Sequence, residues 1–177
     1  MHPSHFIAAG LLTSLLACCQ QQTMLVHACP PCRAQGQECV ILARPHWNDT
    51  GITLEKGRRY QFHVSGRWTD WFVPSDATGP LCPLFDLALL PTRPGLRYPP
   101  SRDLRAKYFS LVGTLGRPQD GRALPAHAFL IRPGMIYQAP ETARLHAFAN
   151  DLPFAYGNNK GCLRLRVQEL PARKSEP

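Results

Sequence analysis

The chain has little of what helical, membrane-spanning or nucleic-acid-binding proteins are built from. No stretch of 12 or more residues carries a 3.6-residue apolar repeat outside residues 5–19, so helices are expected to be minor. That exception, HFIAAGLLTSLLACC, is too short to span a bilayer comfortably. Basic residues outnumber acidic ones 20 to 12, for a net charge of +8, but the arginines are spread along the chain. No basic run is interleaved with aromatics, which argues against nucleic acid and permits attraction to acidic polysaccharide or headgroups. There is no GxSxG between a strand and a helix, and Ser65 in VSGR has no identifiable base. No acid–base carboxylate pair is nominated, and His46, His63, His127 and His146 are too scattered to form a ligand cluster. The expectation is a binding protein without enzymatic activity.

What is present suits one ordinary domain: 177 residues with 44% apolar content can bury a core without staples. Residues 1–28 read as an export segment and short leader, since the apolar run at the N-terminus is followed by the polar QQQT. Two cleavage sites compete. Leu15, Leu16, Ala17 and Cys18 resemble a bacterial lipobox, which attaches the chain to a membrane through a lipidated Cys18; Val26, His27 and Ala28 offer an ordinary small-residue site before Cys29. Either way the chain is expected to be exported, as a periplasmic, outer-membrane lipoprotein or secreted protein.

Five cysteines follow the export segment: Cys29, Cys32, Cys39, Cys82 and Cys162. CPPC (29–32) has the spacing of a thiol redox site, but no βαβ pattern surrounds it. A structural disulfide fits an exported chain better. Zinc on Cys29, Cys32 and Cys39 needs a fourth ligand, with His27 or His46 as candidates. The odd number leaves one thiol or an unassigned partner.

Beyond this Cys-rich head (29–39), residues 40–170 read as short strands separated by Gly and Pro turns, before a disordered tail at 171–177. RYQFHVSGRW (59–68) alternates Tyr60, Phe62 and Val64 against Gln61 and His63. In ARLHAFAND (143–151), Leu145, Ala147 and Ala149 alternate against His146, Phe148 and Asn150; in CLRLRVQEL (162–170), Leu163, Leu165 and Val167 alternate against Arg164, Arg166 and Gln168. The Pro-rich stretch 74–103 reads as a long excursion with one buried piece at LFDLALL. The pattern predicts an all-β fold, an antiparallel β-sandwich. Trp68 continues the core face, whereas Trp71, past the strand end, is a surface candidate for stacking on sugar rings, as is Trp47.

NDLPFAYGNNKG (150–161) carries more oxygen than a turn needs. Calcium takes six to eight oxygens from carboxylates, amides and carbonyls, and this loop has all three: Asp151, the amides of Asn158 and Asn159, and a carbonyl such as that of Ala155. The spacing is not that of an EF-hand. Between two alternating segments, the loop is expected to join adjacent strands. Four or five protein ligands leave open positions, which vicinal sugar hydroxyls fill. The expected ligand is therefore a carbohydrate held through Ca2+; the alternative is an envelope structural protein whose calcium only pins the loop.

The string ND-x-P-x-x-YGNN-x-G, with DTGI-x-L-x-x-G (49–57) and Y-x-F-x-V-x-G-x-W-x-D (60–70), resembles the PA-I galactophilic lectin family, the LecA-like calcium-dependent bacterial lectins, over about residues 40–168. The resemblance implies a jelly-roll sandwich of the galactose-binding-domain type and a galactoside-like ligand. It implies calcium ligands at Asp151, Asn158, Asn159 and the Ala155 carbonyl, with a further carbonyl from Asp70 or Trp71. It also implies that Asp151 and Asn158 hydrogen-bond the sugar while Leu152 packs on its ring. The family holds the sugar's exocyclic hydroxyl with a histidine and a glutamine; WFVPSDATGPLCPLFDL (71–87) has no such pair, although Asp76 and Asp86 are available to a remodelled site.

Overall fold

The computed structural model describes residues 38–116 and 126–171. The export segment, the CPPC pair and the tail from Ala172 onward lie outside them. The chain forms β1 (Glu38–Leu42), β2 (Asn48–Leu54), β3 (Arg59–Asp70), β4 (Val73–Asp76), β5 (Gly79–Pro80), α1 (Pro83–Ala88), β6 (Leu111–Leu115), β7 (Ala128–Leu130), β8 (Ile136–Gln138), β9 (Ala143–Ala149) and β10 (Asn159–Leu170). β1 takes in Glu38 and Cys39, two residues the sequence reading assigns to the head.

Two antiparallel sheets face each other, which makes the fold a β-sandwich. One runs β1-β10-β3-β4-β5 with β8 also on β3; the other runs β2-β9-β6-β7. The long strands β3 and β10 pair over their whole length, from Leu170 opposite Arg59 to Asn159 opposite Asp70. Their period-two pattern puts Tyr60, Phe62, Trp68, Leu163, Leu165 and Val167 into the core between the sheets, against Leu111, Leu145, Ala147 and Ala149 of the facing sheet. Gly66 is required where it stands: its φ is +102°, and a Cβ there would lie 2.9 Å from the Cys162 carbonyl oxygen.

The second sheet is covered on both faces. Val112, Leu130 and Phe148 point away from the main core and form a second apolar cluster with Tyr98, Ala106 and Tyr156. The excursion supplies Tyr98, and the segment just past it supplies Ala106. Phe148 and Asn150, which alternation assigns to a polar face, are thus fully buried; covering Phe148 contributes about 2 kcal/mol of burial free energy. The LFDLALL piece differs from expectation as well. It forms α1 and the start of a 3-10 helix, Leu90–Gly95, neither of which buries a residue. The sequence misleads there because the segment is apolar by composition without presenting one apolar stripe.

Cys82 and Cys162 are both disulfide-bonded, and Cys39 is a thiol buried in the core. No helix among the described residues is long and apolar enough to cross a membrane.

Candidate functional site

Strands β9 and β10 belong to different sheets, so residues 150–158 cross from one sheet to the other and do not close a hairpin. The expectation of adjacent strands is corrected here: clean alternation on both flanks shows two strands, but not that they pair. The crossover has a consequence for the site. Asp151 leaves the end of one sheet, Asn159 begins β10 in the other, and Asp70 stands directly opposite Asn159 at the end of β3.

Asp151 is fully buried. Its Oδ1 accepts from the Leu152 amide at 2.7 Å, and its Oδ2 accepts from Asn159 Nδ2 at 3.1 Å. Burial pushes its carboxyl up to about 6, with the nearby Asp70 charge adding to the rise and the Asn159 amide opposing it. Burial raises the Asp70 carboxyl too, partly offset by the side-chain amide of Asn158. Each of the adjacent amides therefore attends one of two neighbouring acids. The buried Asn159 Nδ2 also reaches the Ala43 carbonyl at 3.4 Å, so both of its donor contacts are on oxygen. Its Oδ1 is buried and accepts from no donor among the described residues.

That orphaned acceptor tests whether a cation fits. A buried amide oxygen without a donor costs free energy, two like charges held close oppose each other's ionisation, and a hard cation relieves both. Among the described residues no group of three or more His, Cys, Asp or Glu side chains is placed to hold a metal ion. The donor set here is of another kind: two carboxylates, two amide oxygens and backbone carbonyls, which suits calcium.

The remaining sequence-nominated residues fall around this pair. Ala155 precedes a 3-10 turn, Tyr156–Asn158, and its carbonyl accepts weakly from Asn158 N at 3.4 Å. Leu152 is half-buried and would meet a Cβ at Gly95 at 3.0 Å, so the excursion packs against it. Trp71 is 70% exposed, whereas Trp68 is fully buried. Trp71 has φ +50°, in the two-residue turn between β3 and β4, where a left-handed conformation favours glycine or asparagine. A bulky ring at such a position costs roughly 1–3 kcal/mol and points to a role at the surface. Asp76 and Asp86 are engaged elsewhere. Asp76 Oδ1 accepts from Thr78 N and Oγ1, and Asp86 is ion-paired with Arg93 and Lys107.

Three residues around the site, Asn150, Arg97 and Tyr108, were not nominated from the sequence. Asn150 ties the excursion to the loop: its Oδ1 accepts from Tyr98 N at 2.9 Å, and its Nδ2 donates to the carbonyls of Tyr98 at 2.9 Å and Lys107 at 3.1 Å. Arg97 fastens the same segment. Its guanidinium lies 4.4 Å from the Trp47 ring centre and 4.2 Å from that of Phe148, and Nη1 donates to the His46 carbonyl at 2.6 Å and to Tyr156 Oη at 3.2 Å. Its own amide donates to the Asp151 carbonyl at 3.1 Å. Tyr108, buried, donates to Thr92 Oγ1 at 2.8 Å; burial raises its phenol, and the charges of Asp151 and Asp70 add to the rise. The segment after the excursion therefore brings the Tyr108 phenol near enough to Asp151 and Asp70 to feel their charges.

No protein-family model matches the chain, and no curated protein matches it. Among solved structures, one described as "EclA N-terminal domain; PllA-like lectin" is similar at 14% identity and a TM-score of 0.45, covering 76% of this chain and 96% of that one.

Proposed function

We propose that this chain is a calcium-dependent carbohydrate-binding protein that carries out no covalent chemistry. The observation that carries the reading is the buried, donorless Oδ1 of Asn159 beside the Asp151 carboxylate, with Asp70 across the strand pair. Asp151, Asn158, Asn159 and the Ala155 carbonyl would hold the ion, with Asp70 or the carbonyl of Asp70 or Trp71 completing the protein's share. Bound calcium supplies open coordination positions that two vicinal hydroxyls of a sugar can fill.

The chain's own residues do the rest. Asp151 and Asn158 offer hydrogen bonds to those hydroxyls, Leu152 offers an apolar contact to the ring, and the exposed Trp71 offers a stacking face. Asn150 and Arg97 keep the loop and the excursion in place, so the site is formed before the ligand arrives. Galactoside-like ligands follow from the sequence resemblance; the replaced histidine–glutamine stretch argues for a different preference at the exocyclic position. Export is part of the proposal, and disulfides at Cys82 and Cys162 suit an oxidising compartment.

A glycan array probed with and without chelator tests the reading, using the parent, Asp151→Ala and Asn159→Ala. Binding that requires calcium and is lost in both variants supports it. A calcium-induced rise in melting temperature with no glycan signal would make the ion purely structural and overturn the carbohydrate reading.

A further inference from the structure

The outer face of the β1-β10-β3 sheet holds a cavity of about 190 Å³ lined by Glu38, His63, Val64, Ser65, Arg164 and Arg166. Three strands contribute to it in two rows. Glu38, Arg166 and His63 are consecutive cross-strand neighbours, and Arg164 faces Ser65 one step further along. The two arginines are two residues apart on one strand, so they leave the same face about 7 Å apart. Neither is ion-paired among the described residues, although Glu38 is the direct neighbour of Arg166. By contrast, Asp49, Asp86, Asp103 and Glu169 all have basic partners.

We infer that this cavity is a second, calcium-independent site that takes an anionic sugar residue, a hexuronate or a sulfated hexose. Guanidinium groups are planar forks that match carboxylate and sulfate oxygens in pairs. The Ser65 hydroxyl and the His63 imidazole add polar contacts for ring hydroxyls, and Glu38 accepts from a hydroxyl while disfavouring a ligand of high charge density. The volume suits one ring of a chain. A single cavity without flanking aromatics or a basic stripe does not track a nucleic-acid backbone. The net charge of +8 draws polyanions toward the surface. His63 and Asp70 are seven residues apart on β3, about 23 Å along the strand, so this site works independently of the ion site.

The test is surface plasmon resonance in chelator, with the full exported chain over immobilised heparin oligosaccharides, polyuronate and neutral dextran. Binding to the acidic saccharides and not to dextran is expected, weakened about 10-fold or more by Arg164→Ala and again by Arg166→Ala. The charge-matched control Arg44→Ala/Lys56→Ala is expected to weaken it by less than about 3-fold, as distant exposed charges do. Equal losses in control and double variant overturn the site in favour of diffuse attraction. So do absence of binding, and equal competition by a single-stranded oligonucleotide or by anionic vesicles. Because calcium is absent throughout, failure here leaves the lectin reading untouched, and failure of that reading leaves this one standing.

Discussion

Replacing Asp151 by Asn should stabilise the protein without calcium and abolish its response to calcium. The Asp151 carboxyl stands at about 6 against an ordinary 3.8 because folding buries it beside Asp70. At pH 7.5 it is ionised in both states, and the folded state bears a cost of about 1.4 kcal/mol for each of roughly two pH units, or about 3 kcal/mol. Asparagine removes that charge. It can still accept from the Leu152 amide, but its new NH2 group faces the Asn159 NH2, and the lost hydrogen bond costs about 1 kcal/mol. The net gain is about 2 kcal/mol, or roughly 6 °C in a domain of this size. Calcium at 100 times its Kd should stabilise the parent by about 2.7 kcal/mol and the variant not at all. Differential scanning fluorimetry in chelator and in calcium would therefore show the two proteins exchanging rank. A variant that melts well below the parent in chelator, or that gains as much from calcium, refutes the account of the acid pair.

The same physics fixes a pH dependence. With the folded-state pKa raised, chelated protein should lose stability as pH rises from about 4 to about 6, the reverse of ordinary acid denaturation for a paired carboxylate; urea midpoints across that window check the sign. Arg97→Lys should cost about 1–2 kcal/mol, because an ammonium replaces a planar group stacked on Trp47 and Phe148; amide exchange should quicken at 96–98 and 150–152, and unchanged protection there would deny Arg97 its fastening role. Gly66→Ala should cost more than about 2 kcal/mol in chemical denaturation, since both its φ of +102° and the 2.9 Å approach to the Cys162 carbonyl resist a side chain; a near-neutral result would mean β10 yields easily.

How much of this was legible depended on which faces meet water. β3 and β10 alternate because one face of their sheet is polar, so Phe62, Trp68, Leu163 and Leu165 were readable as core. In β9 the same alternation misplaced Phe148 and Asn150, because a Pro-rich excursion covers the outer face, and β6 is buried at all five positions. Nothing in a stretch such as TRPGLRYPP announces that Arg97 will lie over the Trp47 and Phe148 rings. The composition of the oxygen-rich loop was legible, and its two amides do lie by acids; its passage between sheets was not. Asp70 entered as a source of a carbonyl, yet it is the carboxyl that the structure sets near Asp151. The signal that could have found it is register: pairing β3 with β10 in antiparallel phase places Asp70 opposite Asn159.

The Asn150 tie has one more consequence. A single fully buried amide grips the chain at Tyr98, inside the excursion, and at Lys107, just past its end. Between those grips residues 99–105 are exposed or half-buried, and Ala106 alone is packed into the second apolar cluster. Loops of other lengths and chemistries spliced in place of 99–105, with Ala106 kept, should leave the sandwich standing, which makes that span the natural place to graft new chemistry.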